Sequence, residues 1–330
     1  MARFPSYAEQ AAHYFDRPHE GIRLEPVTAP AAWRGGELAD SEAWRVELGP
    51  AEREELEAAL AHARATGRPT AELEARDFPL PTLGVEVARW QRELTRGRGF
   101  LVVSGMPVEG WSPEDAERAF WCLGLHLGRP GAQNPKGDLV GHVLDTGEET
   151  ADPYVRLYRT ASEIAWHCDA ADAVGLLCLS AARRGGRSRL VSSVAVFNQL
   201  LSERPDLVPR LFEPFLLDVR NEDASGRLRY LPVPPCRFAS GILRTFWHSD
   251  YFRSVARHPD VPPFDAPQRE LLALYDQIAS RPEMHLEMEL APGDIQWLSN
   301  HTVVHGRTAY RDDPAAGRKR HLLRLWLSLD

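Results

Sequence analysis

From residue 138 to the end, the chain reads as a succession of short strand segments with few parallel β-α-β units between them. The candidates are Leu139–Leu144, Val174–Ala181, Ser188–Val191, Gly241–Phe246, His285–Leu290, Ile295–Leu298 and His321–Leu329. His285-Leu286-Glu287-Met288-Glu289-Leu290 alternates apolar and polar residues, as a half-buried strand does. Helical patterns interrupt the series at about 193–203, 248–258 and 267–280. Many short strands without a parallel succession favour a sandwich or jelly roll.

The first 130 residues differ. Residues 51–66 predict a helix closed by Gly67, and residues 84–96 a second. Ser112-Pro113-Glu114-Asp115 opens a third, with a capping serine, proline in the first turn and acidic residues behind it. That helix runs through Trp121 to Gly128, and Phe100–Val103 before it reads as a short buried strand. No Gly/Ser/Pro linker divides the chain. The expected organisation is one domain over residues 1–330, mainly β with flanking α. Residues 1–130 form a mostly helical extension packed on one sheet, and residues 131–330 a strand core with helical inserts.

Composition excludes several function classes. A net charge of −8 suits a nucleic-acid backbone poorly, and the run Arg318-Lys319-Arg320-His321 is too short to change that. No stretch approaches the roughly 18–20 apolar residues of a membrane span. Met1-Ala2-Arg3-Phe4-Pro5 begins no apolar secretory segment. Cys122, Cys168, Cys178 and Cys236 form no CxxC pair, which fits free thiols in a reducing cytoplasm. The expected partner is a small molecule, not nucleic acid or membrane. No interface pattern decides for or against a homo-oligomer.

Within the strand-rich part, Trp166-His167-Cys168-Asp169 sets an imidazole and a carboxylate two positions apart. In an extended segment such residues share a face. A late pair, His301 and His305, lies in Asn300-His301-Thr302-Val303-Val304-His305, and Arg320 and Arg324 follow. Two histidines and one carboxylate on one face of a metal leave the opposite face open, the arrangement of non-haem Fe(II) oxygenases. An arginine supplies the planar fork that a co-substrate carboxylate needs. His301 and His305 share a strand parity, so spacing alone does not choose between them.

Three stretches resemble the taurine dioxygenase family, the TauD/TfdA-like Fe(II)/2-oxoglutarate oxygenases that include clavaminate-synthase-like members. They are Trp166-His167-Cys168-Asp169, then Gly185-Gly186-Arg187-Ser188, then Asn300-x4-His305-Gly306-Arg307 continuing to Arg320-x3-Arg324. They span residues 166–326, while residues 1–130 resemble the family only loosely. The resemblance implies a double-stranded β-helix, a cupin-like jelly roll, with iron at one open end. It implies that His167, Asp169 and His305 bind Fe(II), which selects His305 over His301. It implies that Arg320 and Ser188 hold the distal carboxylate of 2-oxoglutarate, and that Arg324 stands beside substrate or co-substrate. Dioxygen is the co-reactant, and succinate and CO2 the co-products. Asp169 argues against halogenation, since halogenases of this superfamily typically lack that carboxylate.

The expected reaction is hydroxylation of an unactivated C–H of a small molecule. The alternatives are desaturation, cyclisation or epimerisation by the same chemistry, or a cupin-like metal enzyme that is no oxygenase. Asp172, Gln133, Asn134 and Arg324 are the candidate substrate contacts, with Asp172 opposite Arg324 a clamp for a zwitterion. Cys168 stands where the family more often has Thr; it is expected to pack as a small apolar residue and to introduce oxidation sensitivity. His126, His142 and His248 read as packed or surface histidines. Phe246, Trp247, Tyr251 and Phe252 read as core rather than pocket wall.

Overall fold

Alternation along the strands sorts side chains between layers. In Phe100–Ser104, Phe100 and Val102 join one hydrophobic cluster, while Leu101 and Val103 join another. In His321–Ser328, Leu322 and Trp326 face the first cluster, and Leu323, Leu325 and Leu327 the second. A computed structural model describes residues 4–148, 155–220, 222–223, 228–313, 315, 317 and 319–329. Met1–Arg3 of the N-terminal stretch and Arg318 of the basic run lie outside the described residues.

The larger sheet has seven strands. In spatial order they are Arg45–Glu47, Phe100–Ser104, Ile295–Ser299, Ala173–Ser180, His321–Ser328 and Arg129–Gly131, with Val140–Val143 also on His321–Ser328. Arg45–Glu47 pairs in parallel; the other pairings are antiparallel. The smaller sheet is antiparallel, in the order His285–Met288, Ser188–Ser192, Val303–Arg307, Ile164–His167. Inward residues of both sheets meet in one cluster, with Val174, Leu298 and Leu322 from one and Leu190, Leu286 and Val303 from the other.

Helices cover both outer faces. Pro50–Ala65, Leu83–Arg96 and Pro113–Leu127 pack Leu60, Trp90 and Phe120 against Trp297, Leu323 and Leu325. Ser193–Glu203 and Ala266–Ala279 set Phe197, Leu200, Leu271 and Ile278 against Val191 and Val304 of the smaller sheet. The sequence-predicted helices therefore form within a residue or two of their expected ends. The insert expected at 248–258 is split into a helix, Ser249–Ser254, and a 3-10 turn, Val255–Arg257. Ile164–His167 and Val303–Arg307 have no counterpart among the expected strands. Their inward positions carry His167, His305 and Arg307, and these polar residues break the apolar alternation that marks a strand.

The helix Tyr7–Phe15 was also not anticipated. It packs beside His321–Ser328 and is fastened by buried polar contacts. Tyr14 Oη donates to the carbonyls of Thr245 and Asn300 at 3.1 and 2.9 Å. The carboxylate of Asp172, 2% exposed, takes His13 Nε2 at 2.9 Å, His301 Nε2 at 2.7 Å, the Leu329 N–H at 2.9 Å and the Arg17 guanidinium. Burial opposes the Asp172 charge, but His301, Arg17 and the Leu329 N–H outweigh it and hold the carboxyl well below its usual range.

That depressed value stabilises the fold fully above the unfolded carboxyl pKa of about 3.9, and the contribution is lost as pH falls through the folded value. Asp172→Asn leaves Arg17 and two histidines facing a buried uncharged group. It is expected to cost roughly 3 kcal/mol in urea unfolding at neutral pH. A loss of under about 1 kcal/mol would mean that the clamp contributes no more than a surface ion pair.

Candidate active site

Register brings the three candidate ligands together. His305 of Val303–Arg307 stands directly opposite His167 of Ile164–His167, and the pairing shifts between His305 and Arg307. Their rings lie 4.1 Å apart, centre to centre. Asp169 follows His167 by two residues, and one ligand atom from each of His167, Asp169 and His305 lies within 4.8 Å of the others. The His167 Nδ1 lies 2.9 Å from the Ala165 carbonyl, which fixes Nδ1 as the donor and leaves Nε2 as a lone-pair ligand. His305 Nε2 is 3.8 Å from Asp169 Oδ2, too long for a hydrogen bond, and Asp169 Oδ2 is buried with no partner. Burial, followed by the neighbouring His167, pushes the His305 imidazole down to about 3, so it is neutral at physiological pH. Burial alone would raise the Asp169 carboxyl; Arg324, His305 and His167 outweigh it and keep it ionised. Two imidazole nitrogens and an unsatisfied carboxylate oxygen are the donor set of a divalent metal.

Asn300 fixes the loop that carries Asp169. Its Oδ1 accepts the Asp169 N–H at 2.9 Å, its Nδ2 donates to the Ala171 carbonyl at 2.9 Å, and its own N–H donates to the Asp172 carbonyl. The side chain is fully buried.

Behind the triad, a small cavity is lined by His167, Asp169, Ser188, His305, Arg307, Arg320 and Arg324. Arg307 and Arg320 both lie over the Tyr310 ring, at 4.7 and 5.2 Å. Arg307 Nε and Nη1, Arg320 Nη1 and Arg324 Nη2 are buried without hydrogen-bond partners. Burial, then the nearby Arg320 charge, lowers Arg307 to about 10, and burial also lowers Arg320. Among the described residues, neither Arg307 nor Arg320 has a carboxylate within ion-pair distance. The Gly-Gly pair is needed here. Gly186 has φ +73, and a Cβ on it would lie 2.8 Å from Arg320 Nε; Gly185 has φ +78 and touches the Ala309 carbonyl. Ser188 Oγ donates to Gln296 Oε1 at 2.9 Å at the edge of the same space.

On the other side of the triad lies a cavity of about 600 Å³. His167, Asp169 and Arg324 form part of its wall, and Tyr7, Ala8, Ala11, Ala12 and Phe15 of the N-terminal helix another part. His248 also lines it, 5.3 Å from the His167 ring, and stacks on Tyr251 at 3.8 Å. Burial, then the neighbouring His167 and Arg220, lower the His248 imidazole and keep it neutral.

The structure thus brings together His167, Asp169, His305, Arg320, Ser188 and Arg324. It separates the others. His301 points away from the triad, stacked 4.5 Å from Tyr14 and bonded to Asp172. Asp172 lines neither cavity, because its carboxylate is occupied by the N-terminal clamp, and so it forms no substrate clamp with Arg324. Gln133 lines neither cavity; its Oε1 accepts Arg324 Nε at 2.8 Å and its Nε2 donates to the Arg324 carbonyl at 2.7 Å. Asn134 caps a turn, taking the Lys136 and Asp138 N–H groups. Phe246, Trp247 and Phe252 are core as expected, and Phe246 and Tyr251 also line the large cavity. Cys168 packs as expected, but burial pushes its thiol up to about 12, which removes the basis for oxidation sensitivity. Arg307 and His248 were missed as site residues. The Gly306-Arg307 pair next to His305 was the available signal for Arg307, and nothing in the sequence separated His248 from a packed histidine.

Comparison with known proteins agrees with this geometry. The description of the taurine catabolism dioxygenase TauD, TfdA family matches residues 65–326. FR-33289 synthase of Streptomyces rubellomurinus (strain ATCC 31215) is 32% identical over 329 residues, covering 94% of this chain and 92% of that protein. An asparagine oxygenase in complex with Fe(II), 2S,3S-3-hydroxyasparagine and succinate superimposes with a TM-score of 0.69 at 20% identity, over 86% of this chain and 93% of that one. The non-haem iron oxygenase OrfP, in complex with Fe and α-ketoglutaric acid, gives 0.65 at 18% identity, over 87% and 94%.

Gln133 is expected to act by holding Arg324. Gln133→Met removes a hydrogen bond to a buried charged group and should cost about 1.5–3 kcal/mol in denaturant unfolding. An unchanged midpoint would show that Arg324 is positioned by Tyr158 and Trp326, over whose rings it also lies.

Proposed function

The chain belongs to the TauD, TfdA family and is a non-haem iron, 2-oxoglutarate-dependent dioxygenase, and on that premise we propose how its residues divide the work. His167 and His305, through Nε2, and Asp169, through its unpartnered oxygen, hold Fe(II). Arg320 receives the distal carboxylate of 2-oxoglutarate, and the Ser188 hydroxyl donates to it by turning from Gln296. Arg307 adds a second unneutralised guanidinium to the same space. One observation carries this reading: buried guanidinium N–H groups without partners converge beside a metal-ligand triad. Uncompensated buried charge is costly, and a dicarboxylate relieves that cost.

When bound, iron and 2-oxoglutarate supply dioxygen activation coupled to oxidative decarboxylation, giving succinate, CO2 and an oxidant for a substrate C–H bond. The protein's part is to bind, orient and exclude water. The Ala165 carbonyl holds the His167 tautomer, Asn300 holds the Asp169 loop, and Gln133 holds Arg324 next to Asp169. The large cavity on the open side of the triad takes the small-molecule substrate, with hydroxylation the leading outcome. The two facing sheets and their covering helices support a double-stranded β-helix built as one domain over residues 1–330. No helix among the described residues is long and apolar enough to cross a membrane. The buried free cysteines favour a cytoplasmic setting, and the oligomeric state is left to solution measurement.

Anaerobic addition of Fe(II) and 2-oxoglutarate to purified protein tests the assignment. A weak visible charge-transfer band is expected, lost in His305→Ala and retained in His301→Ala. A band that survives His305→Ala would overturn the triad. Arg320→Leu removes a charge-assisted pair worth about 1.5–3 kcal/mol and should raise the 2-oxoglutarate concentration needed for the band by roughly 10–150-fold. An unchanged requirement would move the anchor to Arg307.

A further inference from the structure

The large cavity carries its own cationic feature away from the metal. Arg220 lines it, with the guanidinium carbon 4.3 Å from the centre of the Tyr251 ring. Tyr251 stacks on His248, and His248 lies beside His167. Arg220 is therefore the far end of a stacked row that starts at a proposed iron ligand. Its backbone has φ +44, and only Ser240 shares a positive φ among the described non-glycine residues. Such strain persists where the surroundings over-determine it, and it collects at ligand clamps. Here Asp218 imposes it. Asp218 Oδ1 accepts the Arg220 N–H at 3.0 Å, and that carboxylate is itself held by Arg257, His258 and Ser254.

The guanidinium, unlike the backbone, has no ionic partner among the described residues. It donates only to Ser254 Oγ and the Asp250 carbonyl, both at 3.3 Å. Of the cavity acids outside the metal site, Asp250 meets Arg220 through its carbonyl alone, and the other three are engaged. Asp218 is paired as above, and Glu222 takes Arg156, Tyr7 and Tyr251. Asp223 takes the Leu228 N–H. With Asp172 also occupied, these carboxylates are engaged, Asp250 excepted, while the Arg220 guanidinium has no ionic partner among the described residues.

We propose that the substrate carries an anionic group, a carboxylate, phosphate or phosphonate, and that Arg220 receives it. This rests on the oxygenase reading above. The stacked row places the anion away from the metal, so oxidation falls on a carbon in the body of the molecule. That body lies against the methyl face made by Ala8, Ala11 and Ala12.

Calorimetry on the protein loaded anaerobically with Fe(II) and 2-oxoglutarate tests this, with n-pentylphosphonate, n-pentanoate, n-pentylammonium and n-pentanol as probes. The anions are expected to bind at least tenfold more tightly than the alcohol, with the ammonium weakest. Arg220→Asn, whose side chain tolerates a left-handed backbone, should abolish that preference without lowering the melting temperature, and Arg220→Lys should keep part of it. Equal binding of the four probes, or an anion preference that survives in Arg220→Asn, overturns the proposal. So does a lower melting temperature with unchanged anion binding, which would make Arg220 structural. The charge-transfer band reports separately on the iron and 2-oxoglutarate site, so its loss alone counts against that site and not against Arg220.

Discussion

The antiparallel register that sets His305 opposite His167 is the constraint on which the site depends. A slip of one residue would turn both imidazoles and Arg307 out of the space between the sheets. Two things pin the register. Val303 and Val304 divide between the inter-sheet core and the helix-facing core, so any shift would expose apolar surface. Asn300 ties the loop before this strand to the backbone of Asp169, Ala171 and Asp172. The ligand loop and the ligand strand are thus one hydrogen-bonded unit.

Electrostatics then divides the interior. Most buried acids outside the metal site pair with bases, as Asp172 does with Arg17 and Asp218 with Arg257, while Arg220 is left without an ionic partner among the described residues. Arg307 and Arg320 do not reach such neutrality among the described residues, Arg324 meets Asp169 at 3.6 Å, and several donors of the three are buried without partners. Leaving these groups unpaired costs stability that the hydrophobic layers must offset. A dicarboxylate bound there removes that cost, which links co-substrate binding to stability as well as to chemistry.

The substrate side is built differently. The family match begins at residue 65, yet the helix Tyr7–Phe15 supplies part of the cavity wall. It is held by the Asp172 clamp, three residues beyond a proposed ligand. Three alanines on that helix leave room where larger side chains would fill the cavity. One wall of the proposed substrate cavity is therefore written outside the segment that identifies the family, whereas the rest of that cavity and the metal end lie inside it.

Local signals made much of this legible in the sequence. Capping residues and proline placed the helix after Ser112, and alternation placed the strand His285–Met288. The His-x-Asp spacing, the Gly-Gly-x-Ser turn and the Arg320-x3-Arg324 pair each encode local geometry, and their side chains meet as the motifs suggested. Tertiary structure alone decided the rest. His301 and His305 have the same parity, and only the path of the chain sends one to Asp172 and the other to the triad. Asp172 and Gln133 are polar residues near ligands in sequence, but the N-terminal helix and Arg324 claim their hydrogen bonds first. Arg220 and His248 line one cavity because distant elements converge on it. A sequence records the type and spacing of donors and acceptors, whereas long-range packing decides which of them are left unpaired.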